Sequence, residues 1–206
     1  MNKVLIQECV KRQIKGLESV LQYVQEEEYE KFYRDLSYNL NVIGGRIYIS
    51  GVGKNSNIAT KISESMASLG VRSGYINPTN YLHGDAGYIE NDDLVIYITR
   101  SGKTDEIHAM ANHLYEKRPW INQYLIHCNK DLDIDATAFT KVLYIPGVSE
   151  GDELELAPTT STTVFLCLLD TITVALSSEI EFKKEDFLAY HPGGNLGNTL
   201  RKNLNV

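Results

Sequence analysis

From Gly44-Gly45 onward the chain repeats one pattern: a short β-branched or aromatic run, a Gly- or Ser-rich turn, then a stretch with helical periodicity. Strands that are apolar on almost every residue must be covered on both faces, and parallel strands need helical crossovers to connect them. The first run is Arg46-Ile47-Tyr48-Ile49-Ser50, closed by Gly51-Val52-Gly53 before a helix from Asn55 to Leu69. The second is Leu94-Val95-Ile96-Tyr97-Ile98-Thr99, closed by Ser101-Gly102 before a helix from Thr104 to Tyr115. Asn122 to His127 and Lys141 to Ile145 supply two more strands, and Val71 to Ile76 a less regular fifth. The pattern predicts an α/β fold, a three-layer αβα sandwich around a five-stranded, mostly parallel sheet.

Ahead of the sheet, Val4, Leu5, Cys9, Val10, Ile14, Leu17, Val20 and Leu21 recur at helical spacing, and no proline interrupts them. Residues 1–44 therefore read as a helical extension packed on a core domain of residues 45–206, with one long helix or a helical hairpin from Asn2 to Asn41. Glu26-Glu27-Glu28 fits a solvated break or a helix start, where carboxylates suit the positive end of the dipole. The apolar face of this extension exceeds what one sheet face requires, which predicts self-association. Further helices are expected from Pro158 to Ser178, opened by the proline, and from Glu185 to Tyr190. Pro192-Gly193-Gly194 then breaks the chain.

A length of 206 residues suits one domain, and 43% apolar residues suffice for its core. Lys and Arg number 20 against 27 Asp and Glu, a net charge of −7 that disfavours general nucleic-acid binding. Cys9, Cys128 and Cys167 are odd in number and without CxxC spacing, which predicts buried thiols in a reducing, cytoplasmic setting. The uncharged stretch from Leu156 to Leu169 contains Pro158 and ends at Asp170, short of a membrane span. Glu8, Lys11 and Arg12 interrupt any signal-peptide apolar region.

Ligands of open parallel sheets bind beyond the carboxyl ends of the strands. That rule selects the loops Ser50 to Ser56, Thr99 to Glu106 and Gly147 to Glu155, together with the turns carrying His83 and His191. Ser101-Gly102-Lys103-Thr104 reads either as an anion cradle at a helix start or as a plain turn capped by Thr104 or Ser101. Tyr48 stands where a P-loop needs its first glycine, and Ser56 where a dinucleotide fingerprint needs its third, so ATP and NAD are disfavoured. Thr159-Thr160-Ser161-Thr162-Thr163 puts five hydroxyls at one helix start, as a polar pocket wall or as a helix packed closely on another backbone. His108 and His113 are five apart and form no i, i+4 metal pair, so both are expected at the surface or boundary. His127 reads as structural.

Taken together, these loops resemble the sugar isomerase (SIS) domain and, within it, the arabinose 5-phosphate isomerase family. The residues that carry the resemblance are Gly51-Val52-Gly53-Lys54, His83-Gly84-Asp85-Ala86-Gly87, Ser101 to Glu106, Leu156 to Thr163 and His191-Pro192-Gly193-Gly194-Asn195-Leu196-Gly197. The resemblance implies interconversion of D-ribulose 5-phosphate and D-arabinose 5-phosphate, the entry to the sugar acid Kdo of lipopolysaccharide or capsule. It implies catalytic roles for Lys54, Glu106, Glu150 and His191. Glu150 is placed by counting back from Pro158, with Glu153 and Glu155 as competitors. Substrate donors implied are Ser50, Ser56, His83, Ser101, Gly102, Lys103, Thr104, Thr159, Thr160 and Ser161. Arg100 and Lys103 replace residues that are usually neutral or acidic in the family. The chain stops soon after the His-Pro-Gly-Gly turn, which predicts a catalytic core without the family's pair of cystathionine-β-synthase-type domains.

Aldose–ketose exchange moves one proton between C1 and C2, so no redox cofactor and no metal is expected. His83 and His191, if brought together, would capture an inhibitory zinc, and a tetramer with active sites shared between subunits is implied by resemblance. Alternatives are a non-catalytic SIS module that senses a phosphosugar, or an isomerase of a longer ketose such as sedoheptulose 7-phosphate. The N-terminal segment shows neither the basic charge nor the turn of a helix-turn-helix, which argues against the sensor.

Overall fold

The computed structural model describes residues 3–204, so the expected helix start at Asn2 lies outside the described residues. Five strands, β1 (Ile47–Ser50), β2 (Ser73–Tyr75), β3 (Leu94–Ile98), β4 (Gln123–His127) and β5 (Lys141–Tyr144), form one sheet in the order β2-β1-β3-β4-β5. Every neighbouring pair is parallel. Around it lie α1 (Lys3–Tyr23), α2 (Glu27–Tyr38), α3 (Lys54–Ser68), α4 (Pro78–Tyr81), α5 (Asp105–Lys117), α6 (Thr160–Glu179), α7 (Lys184–Tyr190) and α8 (Gly194–Leu204).

Because side chains alternate along a strand, each strand feeds two cores. Ile47, Ile49, Ile96 and Ile126 pack with α1, α2, α3 and α6 on one face. Tyr48, Val95, Tyr97 and Leu125 pack with Ile107, Met110 and Leu114 of α5 and with Tyr81 on the other. The N-terminal extension is a hairpin, with Glu26 as N-cap and Glu27, Glu28 and Glu30 in the first turn of α2. Its Val20, Tyr23, Phe32 and Leu36 belong to the first core, and the Phe32 ring lies 4.9 Å from that of Tyr124. The outer face of α1 leaves Val4, Leu5, Ile6, Val10 and Ile14 exposed.

Helix α6 is long and apolar enough to cross a membrane by length and composition, but its Val164, Phe165, Leu168, Leu169, Ile172 and Leu176 are buried in the first core. Pro158 does not open it as expected: Thr159 is the N-cap and the proline stands one residue outside. The chain resumes as α8 directly at Gly194, after the Pro192-Gly193 break.

A π-helical stretch, Asn39–Ile43, ends α2 and passes through Gly44 (φ 81°) into the sheet. Asn39 Nδ2 donates to the Asp92 carbonyl at 2.6 Å, and the Asp93 carboxylate accepts from the Arg46 and Glu90 amides at 2.7 Å each. These bonds tie the entry of β1 to that of β3. They fix the register on which the loops leaving β1 and β3 depend.

Candidate active site

In the order β2-β1-β3, the crossovers leaving β1 and β3 take opposite faces, α3 on one and α5 on the other. The crevice between their loops is the switch point where such sheets bind ligands. Two uncapped helix starts meet this edge. Gly53, which has no side chain to cap with, precedes α3 at φ 61°, and Thr104 precedes α5 without a side-chain cap.

The turn after β3 is built rather than loose. Thr99 Oγ1 lies 2.7 Å from Thr104 Oγ1, the Lys103 amide donates to Ser101 Oγ at 3.1 Å, and Asn129 Nδ2 donates to the Ser101 carbonyl at 3.0 Å. Gly102 has φ 71°, which favours glycine, and a Cβ there would press on the Leu132 side chain at 2.7 Å. Its carbonyl accepts from His108 Nε2 at 2.8 Å, which fixes that imidazole's donor nitrogen. His108, expected at the boundary, thus props the turn from one helical turn below. The i, i+4 spacing to Thr104 was the available signal.

Glu150 is fully buried and caps α6. Oε2 accepts from the Thr159 amide at 2.9 Å, Thr159 Oγ1 at 3.2 Å and the Ser161 amide at 3.2 Å, while Oε1 accepts from Ser161 Oγ. Arg100 Nε stands 3.2 Å from Oε1, and among the described residues it is the one cation in salt-bridge reach of that carboxylate. A carboxylate offers about four acceptor sites, so these donors saturate it. Glu153 and Glu155, its competitors, are exposed. Arg12 of α1, which sequence reasoning missed, donates to the Glu150 and Asp152 carbonyls at 2.7 and 3.0 Å. The Ala157 and Leu156 amides on Asp152 hold its carboxyl below the usual range.

Of the two expected roles, close packing on another backbone appears at Thr160, and the other hydroxyls bond within the loop and helix start. Thr159 and Ser161 cradle Glu150, while Thr160 is buried where Gly16 of α1 crosses close to its methyl group. Thr162 and Thr163 bond back to the Thr159 carbonyl. Ser50, expected to face a ligand, is buried with its hydroxyl 3.9 Å from Met110 Sδ. Ser56 donates to the Gly53 carbonyl at 2.6 Å. Lys54, Ser101, Lys103 and Glu106 are exposed at the two helix starts, and His83 is exposed beyond α4.

His191 is not brought to this edge. Its Nδ1 donates to the Phe187 carbonyl at 2.9 Å and its ring stacks on Phe187 at 3.8 Å, which leaves Nε2 as the basic nitrogen. The neighbouring Tyr190 shares a groove with Arg46, Arg72 and Ser73 at the amino ends of β1 and β2. Four strand residues separate that edge from the Glu150 edge, roughly 13 Å. His83 follows α4, whose Tyr81 packs in the second core, whereas His191 follows Tyr190, which lines the groove with Arg46 and Arg72.

Beside Glu150, a cleft of about 660 Å³ opens between α1 and the ends of β3, β4 and β5, lined in part by Lys15, Arg100, Ser101, Cys128, Lys130 and Glu155. Cys128 sits in its wall, part-buried like Cys9 and Cys167 and not in a disulfide. Burial pushes the Cys128 thiol up to about 12, with the Glu150 charge adding and Arg100 partly offsetting. At pH 8 its thiolate fraction is then about 10⁻⁴, so iodoacetamide is expected to label Cys128 on the order of 10³-fold more slowly in the native chain than in urea, as read by peptide mass spectrometry.

The description SIS domain matches residues 43–175 of the chain. A Helicobacter pylori protein described only as uncharacterized is 35% identical over 184 residues, which cover 89% of this chain and 55% of that protein. The arabinose 5-phosphate isomerase KpsF of Escherichia coli O6:H1 is 36% identical over 156 residues, covering 76% of this chain and 47% of KpsF. This chain thus spans about half the length of the curated relatives it matches. Among solved structures, an E. coli CFT073 protein in complex with arabinose 5-phosphate superposes with a TM-score of 0.78 at 31% identity, covering 93% of this chain and all of that one.

Proposed function

The chain belongs to the SIS domain family, and on that premise we propose that it interconverts D-ribulose 5-phosphate and D-arabinose 5-phosphate. The observation that carries the reading is the buried Glu150, fixed by α6 beside an anion-sized turn at the switch point of a parallel sheet. The similarity to KpsF and to a structure holding arabinose 5-phosphate supports the same substrate class.

On this reading the phosphate rests on the Ser101 to Thr104 turn and the open amides of α5, where the helix dipole favours a dianion. Thr159 and Ser161 act one step back, holding Glu150 rather than phosphate. Lys54 at the start of α3 offsets the enediolate charge, and Glu106 orients a sugar hydroxyl. Glu150 carries the proton between C1 and C2, sharing the work with an imidazole, and it frees an acceptor site for this when the rotatable hydroxyl of Ser161 or Thr159 turns away. His191 of the same chain is at the far edge, so that imidazole comes from a second copy, in keeping with an expected tetramer with shared sites. His83 or that His191 opens the arabinose 5-phosphate furanose, a task absent from the ketose side.

Incubation with D-ribulose 5-phosphate in deuterated water tests this by NMR. The expected product is D-arabinose 5-phosphate with solvent deuterium at C2. No aldose product overturns the activity, and turnover of sedoheptulose 7-phosphate alone would transfer the reading to longer ketoses.

A further inference from the structure

Arg100 has two acidic neighbours with different fates. Glu150 is buried and bonded to the start of α6, whereas Glu155 is half-exposed at the rim of the 660 Å³ cleft, with Oε2 at 3.4 Å from Arg100 Nη2. The same Glu155 stands 4.0 Å from Arg12 Nη1. Its backbone lies in the left-handed region at φ 53°, which a non-glycine residue adopts at a cost. Only the Asp152 carbonyl, receiving its amide at 3.2 Å, and the two arginines oppose relaxation of that residue among the described contacts.

An arginine fork can keep Nε on one carboxylate while its Nη groups serve another anion. Here Nε stands 3.2 Å from Glu150 and Nη2 stands 3.4 Å from Glu155, and both Arg100 and Glu155 line the cleft. Ser101 and Lys15 line the same cleft, so a ligand reaching Arg100 meets a hydroxyl and a second cation. Glu155 therefore occupies the place an anion would take.

We propose that Glu155 is an internal competitor for anion binding: it holds the outer edge of Arg100 until a phosphate monoester displaces it, so Arg100 binds the ligand while still positioning Glu150. The inference rests on the phosphosugar reading only in naming the natural ligand. Relief of the competition is a property of binding, and it is measured without turnover.

The test is calorimetric titration of inorganic phosphate and of D-arabinose 5-phosphate into four chains at one ionic strength: wild type, Glu155→Gln, Arg100→Gln and the double variant. Glu155→Gln keeps the size and shape of an exposed residue, so its fold is expected to hold. Because exposed ion pairs are weak, its affinity is expected to rise about threefold. Arg100→Gln is expected to weaken binding, and in that background Glu155→Gln should have no further effect. A rise of equal size in both backgrounds would mean a general charge effect and overturns the competitor role. So does an unchanged or weaker affinity in Glu155→Gln, or binding of neither probe to any chain. Failure of the isomerase assay with this pattern intact would reject the reaction and leave the competitor standing.

Discussion

Glu150→Gln is expected to lower kcat at least about 100-fold, the usual contribution of a positioned acid–base group. The amide cannot accept a proton, and its NH₂ must face either Arg100 Nε–H or the amides of Thr159 and Ser161. Orphaning such a donor costs about 1–3 kcal/mol. In a chain of this size that lowers Tm by roughly 2–4 °C for each kcal/mol, so calorimetry and turnover should both respond. His191→Ala should match the loss in kcat with little change in stability, because its ring stacks on Phe187 at the periphery. If sites are shared, co-expression of the two variants recovers activity: random assembly pairs an intact Glu150 with an intact His191 in about a quarter of the sites. Near-normal turnover in either single variant removes that residue from proton transfer, and no recovery in the mixture rejects the shared site.

Gly45→Ala is expected to be the most destabilising small change in the chain. A Cβ at Gly45 would stand 1.7 Å from the Asp92 carbonyl oxygen and 2.9 Å from Asn39 Nδ2, and the first of these is backbone that cannot rotate away. Relief requires separating the entries of β1 and β3, which breaks the Asn39–Asp92 and Arg46–Asp93 bonds together. The cost should exceed about 3 kcal/mol, read as a fall in Tm of at least roughly 6 °C or as insoluble expression. Gly53→Ala is the control. Nothing lies within 4 Å of its Cβ position, so only the backbone conformation, φ 61° with ψ −125°, opposes it, at about 1–3 kcal/mol. Equal stability losses at the two positions would show that the contact at Asp92 is not the cause.

The strands were legible because each is a run of apolar residues between glycine-rich turns, a pattern tied to burial on two faces. All five expected runs appear, within one or two residues of their expected ends. The turn at Ser101-Gly102 was legible for a similar reason, since positive φ selects glycine locally. By contrast, nothing in the sequence separates Thr159 and Ser161 from Thr160, although two hold Glu150 and the third packs on Gly16. Their roles depend on where α1 crosses. Likewise Arg12 and Arg100 lie 88 residues apart and meet only through the loop they both grip.

The order of residue types along the chain fixed the layered architecture and the glycine-bearing turns at the carboxyl edge, because each follows from local periodicity or φ. Tertiary structure alone decided which carboxylate is buried, which hydroxyls serve it and on which edge His191 lies. Those outcomes depend on contacts between segments far apart in sequence, where a few ångströms of backbone placement determine whether a side chain is a ligand, a prop or packing.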